Sequence, residues 1–211
     1  MSELQFCREI NEDLDADQIV ELAKLRAALR EHMAVVKPKR FAHSLSVAAE
    51  AARLAHIYSV SSYLAQAAGI LHDWDKTLTF DEQLQHAQAA NIDMGVELSL
   101  VGNLLHGLTA AHDLPCQFPE LPSEVWQAIA RHTTGAQDMT PLDMVLFIAD
   151  GIEPLRPASP GIERTRSLVG KVSLEELYWE SFIGGVVYVL EGRRYLYPGT
   201  LELYNSYVLK H

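Results

Sequence analysis

The chain has 211 residues, is 48% hydrophobic, and sets 28 acidic against 17 basic residues for a net charge of −11. That length can bury the core of one domain, or of one domain with a helical extension. The charge argues against polymeric nucleic acid or an anionic membrane as a partner unless a local basic patch overrides it.

Cys7 and Cys116 are the only cysteines and lie far apart, so neither a disulfide framework nor a thiolate metal site is expected. The first segment is acidic with no apolar leader core, and no apolar run approaches bilayer length. A cytoplasmic protein without a membrane partner is the expectation.

Apolar residues recur at helical spacing almost throughout. Ile19, Leu22, Leu25, Leu29 and His32 step by three or four, predicting an N-terminal amphipathic helix that carries no clustered chemistry. Pro38 opens an Ala-rich helix, "KPKRFAHSLSVAAEAARLAHIYSV", whose small residues let neighbours approach. Ser61 or Ser62 caps the next helix, which ends in "AGILHDWDK". Thr140, Pro141 and Asp143 mark the start of a helix through "MVLFIAD", and Ser173 with Glu176 opens another that closes at Gly192. "DLPCQFPELPS" and "EPLRPASPG" read as loops, with no repeat and no convincing strand. The expected class is all-α.

The pair His72-Asp73 sits behind a buried-looking "LAQAAGIL". An ionised carboxylate there carries a desolvation cost of several kcal/mol unless a cation compensates it. Lys76, four residues after His72 and three after Asp73, is expected on their helix face. Two readings stay open from this segment: a buried Asp73–Lys76 pair, or a metal. A second doublet, His112-Asp113, adjoins Pro115 and reads as a solvated helix end.

Asp150 is a second carboxylate in the same predicament, since a helix C-terminus already carries partial negative charge. His132 and His106 are expected to end apolar helices in the same manner. Nitrogen and carboxylate donors without thiolate favour iron, manganese, zinc or nickel over calcium.

In order, "KRFAHSLSVA", "LLHDWDK", "LLHG", "ARHTTG", "IADGIEPLR" and "GRRYLYPGTLELYN" resemble the HD-domain phosphohydrolases, and within them the YqeK-type symmetrical dinucleoside tetraphosphatases. The resemblance runs from about Lys39 to about Tyr207. It implies an HD-domain helical bundle over residues 37–211 with an N-terminal helical extension over 1–36, and His43, His72, Asp73 and Asp150 as metal ligands. His106 and His132 would complete a second metal site or contact phosphate.

By the same resemblance, Asp73 and Lys76 are the catalytic residues. Arg40, Lys76, Arg156 and Arg193 would hold phosphates, with Thr133, Thr134, Gly135 and Tyr197 near the nucleotide. The implied cofactor is one or two divalent transition ions, iron first and manganese, zinc or nickel as alternatives. The implied reaction cleaves diadenosine tetraphosphate to two ADP, with a homodimer as an option. The alternatives are an HD phosphodiesterase or phosphatase acting on another nucleotide, and a non-catalytic nucleotide sensor. Gly151 stands where an aromatic is common and Leu155 where a polar residue is common.

Overall fold

The structure is a computed structural model that describes residues 14–209. Cys7 and the acidic first segment lie outside the described residues; Cys116 is an exposed free thiol.

Among the described residues there are ten α-helices and no strand, as the helical spacing predicts. They are α1 (Ala16–Met33), α2 (Pro38–Tyr58), α3 (Ser62–Leu71), α4 (Phe80–Ala89), α5 (Leu105–Asp113), α6 (Ser123–Arg131), α7 (Pro141–Ile152), α8 (Pro160–Leu168), α9 (Leu174–Glu191) and α10 (Pro198–Val208). No described helix is long and apolar enough to cross a membrane.

The caps follow local chemistry. Ser61 is the N-cap of α3, and Thr140 closes a capping box with Asp143 at α7. Ser173 does the same with Glu176 at α9, which ends at Gly192. Each side-chain oxygen satisfies an orphan backbone N–H that a helix start leaves open.

Helix α7 is central and packs against α2, α3, α6, α8 and α9. Its buried Leu142, Val145, Leu146, Ile148 and Ala149 join one core with residues of α2, α3, α6 and α9. Helix α1 enters the same core through Leu22, Leu25, Leu29 and Met33. The expected stripe is displaced at both ends: Ile19 is 49% exposed, and Met33 rather than His32 closes the apolar face. His32 instead turns to the Trp74–Thr77 turn. Its ring stacks on Trp74 with centroids 4.0 Å apart, and its Nε2 lies 2.9 Å from the Trp74 carbonyl.

Two helix assignments near the chemistry are corrected. Helix α3 stops at Leu71 with His72 as its C-cap, and a separate 3₁₀ turn spans Trp74–Thr77. Lys76 therefore does not share an α-helical face with His72 and Asp73. His106 opens α5 rather than ending a helix, because short 3₁₀ turns at Leu98–Leu100 and Gly102–Leu104 take up the apolar residues before it. The sequence reading makes no helix of Phe80–Ala89, which Thr79 and Glu82 cap as α4.

Two glycines set helix separations at the centre. A Cβ on Gly69 would stand 2.6 Å from Ala48 Cα, so only glycine lets α3 lie this close to α2. A Cβ on Gly107 would meet the Ile129 carbonyl at 2.6 Å and the His132 ring at 2.9 Å.

Candidate metal centre

Six side chains from five places in the sequence converge in the core. His43 comes from the second turn of α2, His72 and Asp73 from the end of α3, His106 from the start of α5, His132 from the end of α6 and Asp150 from the last turn of α7. All four histidines and Asp73 are buried. One donor atom each from His43, His72 and Asp150 lie within 4.8 Å of one another, and so do donors from His72, Asp73 and His132.

The histidines are oriented by their far nitrogens. His72 Nδ1 is 2.8 Å from the Gly69 carbonyl, His106 Nδ1 3.2 Å from that of Asn103, and His132 Nδ1 2.6 Å from that of Ile129. A carbonyl can only accept, so each Nδ1 carries the proton, and a neutral ring then offers its Nε2 lone pair to the cavity. His43 Nδ1 faces Glu153 Oε1 at 3.0 Å.

What the Nε2 atoms meet is more electron density. His106 Nε2 and His132 Nε2 are 3.0 Å apart, and His106 Nε2 is 3.1 Å from Asp73 Oδ1. His43 Nε2 lies 3.0 Å from Asp150 Oδ1, but neither it nor His72 Nε2 is aligned for a hydrogen bond. Lone pairs and carboxylates gathered in this way repel unless positive charge sits among them. The donor set is nitrogen and oxygen only, which suits a borderline divalent ion. These residues fit a metal.

The titration behaviour agrees. Burial drives His132 down to about 3, with His106 and His72 adding to the shift. Burial also lowers His106 against the pull of Asp73. Burial works against ionised Asp73 and Asp150. Asp73 nonetheless lies well below the usual carboxylate range, which requires positive charge among the imidazoles of His72, His106 and His132, and His43 with Arg156 holds Asp150 down in the same way. His43 is raised despite its burial, because Asp150, Asp73 and Glu153 surround it.

Three cations rim the centre. Arg40 Nη1 donates to Asp73 Oδ2 at 2.9 Å. Arg156 holds the Asp150 side chain at 2.5 Å and its carbonyl at 2.8 Å. Lys76 Nζ donates to the Asn103 carbonyl at 3.3 Å. Among the described residues Asp73 is paired with Arg40, and the alternative of a buried Asp73–Lys76 pair is not formed. Burial, helped by Arg40 and Arg156, lowers the pKa of Lys76.

Beside the centre lies a cleft of about 220 Å³ lined by Met94, Leu108, Thr134, Gly135, Tyr197 and Glu202, among others. Leu108 and Thr134 each stand two residues beyond a centre histidine. Gly135 takes φ +68, and a Cβ there would press on the Tyr178 hydroxyl at 2.4 Å. Thr133 is tied to the Leu104 carbonyl at 3.4 Å. Arg193 is exposed in the turn after α9, with φ 50, and makes no hydrogen bond or ion pair with the centre among the described residues. The doublet His112-Asp113 is exposed and bonds to itself at 2.7 Å.

The sequence reading assigns no role to Glu153. It is buried, faces His43, and accepts the Leu155 N–H at 2.6 Å. Leu155 thus serves through its backbone, the residue as a whole being 59% exposed. Arg166 donates to the Ile152 and Glu153 carbonyls and closes the end of α7. An acidic residue just past a helix that ends in a candidate ligand is the one signal that could have marked Glu153.

The profile of the HD domain family matches residues 40–155. A Staphylococcus aureus protein named symmetrical bis(5'-nucleosyl)-tetraphosphatase is 33% identical over 80% of this chain and 87% of its own length. Proteins of the same name from Halalkalibacterium halodurans and Bacillus subtilis are 31% and 28% identical, over 83% and 87% of this chain and 95% and 94% of their own lengths. A solved structure from Clostridium acetobutylicum, described as a predicted HD superfamily hydrolase involved in NAD metabolism, superposes with a TM-score of 0.79 at 28% identity, covering 90% of this chain and 97% of that one. With the histidines and aspartates of the centre inside the matched span, the chain belongs to the HD-domain family and, within it, to the group of the symmetrical bis(5'-nucleosyl)-tetraphosphatases.

Proposed function

We propose that the protein is a metal-dependent hydrolase that cleaves diadenosine tetraphosphate, and related dinucleoside tetraphosphates, symmetrically to two nucleoside diphosphates. The observation that carries this reading is the convergence of four buried, outwardly tethered histidines on Asp73 and Asp150, with Arg40, Lys76 and Arg156 around the rim. A sensor that only bound nucleotide would have no need of so complete a donor set.

His43, His72, Asp73 and Asp150 are the proposed ligands of a divalent ion, with iron placed first. When bound, such an ion makes water nucleophilic near neutral pH and draws charge from phosphate oxygens. His106 and His132 are assigned to a second ion rather than to phosphate. With Nδ1 committed to carbonyls, their Nε2 atoms are acceptors, and a phosphate contact needs a donor. His132, held neutral down to about 3, is for the same reason unsuited to protonate a leaving group.

The chain's own cations do the remaining work. Lys76 is a point charge on a short turn, and burial beside Arg40 and Arg156 leaves it poised to gain from an arriving anion. Arg156 and Arg40 hold the outer oxygens of Asp150 and Asp73, and their spare N–H groups can take phosphate oxygens as a fork. The cleft walled by Thr134, Gly135 and Tyr197 is the proposed nucleoside site. Its separation from the centre sets where the chain of phosphates is cut.

The test is hydrolysis in oxygen-18 water with mass detection. Two ADP are expected, one of the pair carrying a single label on its terminal phosphate. AMP with ATP would mean an asymmetrical hydrolase, and no turnover with iron, manganese, zinc or nickel would return the choice to a binding module.

A further inference from the structure

A second group of potential metal donors stands apart from the centre. Asp75 lies on the 3₁₀ turn Trp74–Thr77, His86 on α4 and Asp113 at the end of α5, and one donor atom from each lies within 4.8 Å of the other two. Three separate elements are brought to one point, with α4 also tied to the turn by Gln83 Nε2, which donates to the Asp75 carbonyl at 2.9 Å.

Asp75 is the unusual member. Its side chain is buried, the residue being 7% exposed, and Oδ2 has no hydrogen-bond partner. No lysine or arginine pairs with it among the described residues. A buried carboxylate with one oxygen left unpartnered is costly, and a second carboxylate nearby adds repulsion. The outer face is built differently: His86 and Asp113 are 47% and 42% exposed at their side chains and 3.4 Å apart, so the point is reachable from solvent. One imidazole and two carboxylates, one of them fixed and dry, make an open three-ligand set of the kind that zinc completes with water.

We propose that Asp75, His86 and Asp113 form a second, peripheral site for a divalent transition ion of the zinc type, separate from the centre of His43, His72, Asp73 and Asp150. The bound ion would clamp α4 and α5 to the turn that carries Lys76. Asp113, bland as a partner of His112, thereby acquires a use that its neighbour in sequence does not reveal.

The holoprotein is equilibrated with excess Zn²⁺, desalted into dilute Zn²⁺, and its metal counted per chain by elemental analysis and native mass spectrometry, beside His86→Ala and Asp113→Asn. Both substitutions fall on exposed side chains outside the catalytic machinery. One fewer zinc per chain in each variant, with a zinc-dependent rise in Tm present in the wild type and smaller in the variants, supports the site. Equal metal counts in all three proteins would overturn it, as would loss of the metal of the main centre in either variant. Neither readout depends on turnover.

Discussion

Glu153 Oε1 stands 3.0 Å from His43 Nδ1 across 110 positions of sequence. Its other oxygen accepts the Leu155 amide, so the carboxylate is fixed before it fixes the imidazole. A carboxylate behind a ligating histidine sets the ring's direction and basicity, and its removal typically lowers metal affinity about 10–100-fold. Glu153→Ala should therefore weaken metal binding by about that factor, with Glu153→Gln falling between, as read by chelator competition. Unchanged affinity in the alanine variant would remove Glu153 from the account.

Asp73 and Asp113 follow histidines in the same way yet differ in burial, at 4% against 42% side-chain exposure. The protein as purified should retain iron through desalting. Asp73→Ala should lose that ion, and Asp113→Ala should keep it. Equal loss of iron in both would mean that the choice between the two doublets is mistaken.

Lys76 is bonded to the Asn103 carbonyl and not to Asp73. Lys76→Ala should leave the fold and the metal in place while lowering turnover by roughly 10²–10³-fold, equivalent to about 2.7–4 kcal/mol of transition-state stabilisation by analogy with an oxyanion donor. Side-by-side metal content, melting and rate measurements check this. A variant that unfolds would instead mark the lysine as structural.

Gly107 is where α5 meets α6, and an added methyl there runs into the Ile129 carbonyl and the His132 ring. Gly107→Ala should cost about 1–3 kcal/mol through overpacking, which lowers Tm by roughly 2–4 °C per kcal/mol for a chain of this size. It should also spread His106 from His132 and weaken metal retention. A fully stable variant with normal metal would show that the helices yield more easily than their contact implies.

The helical class and most caps are legible because they are local: Ser61, Thr140 and Ser173 each act on a backbone N–H three residues on. The donor residues are legible because a titratable group behind an apolar run needs a partner, and Asp73 and Asp150 both meet that description. Helix ends near the chemistry are less so. His72 as a C-cap and His106 as a helix start depend on 3₁₀ turns, whose spacing hardly differs from α spacing over three or four residues. Gly69 and Gly107 could not be read at all, and Glu153 only as an acidic residue just past a helix that ends in a candidate ligand. Their roles lie in what another segment brings to them, such as Ala48 against Gly69, and no periodicity within one helix records that.

The potential donors of the centre are spread from His43 to Asp150, with α7 supplying both the last of them and the middle of the core. During synthesis the pocket therefore has no existence until most of the chain has left the ribosome, and an ion meeting the nascent chain finds only scattered single ligands. Metal selection falls to a finished cavity rather than to a folding intermediate.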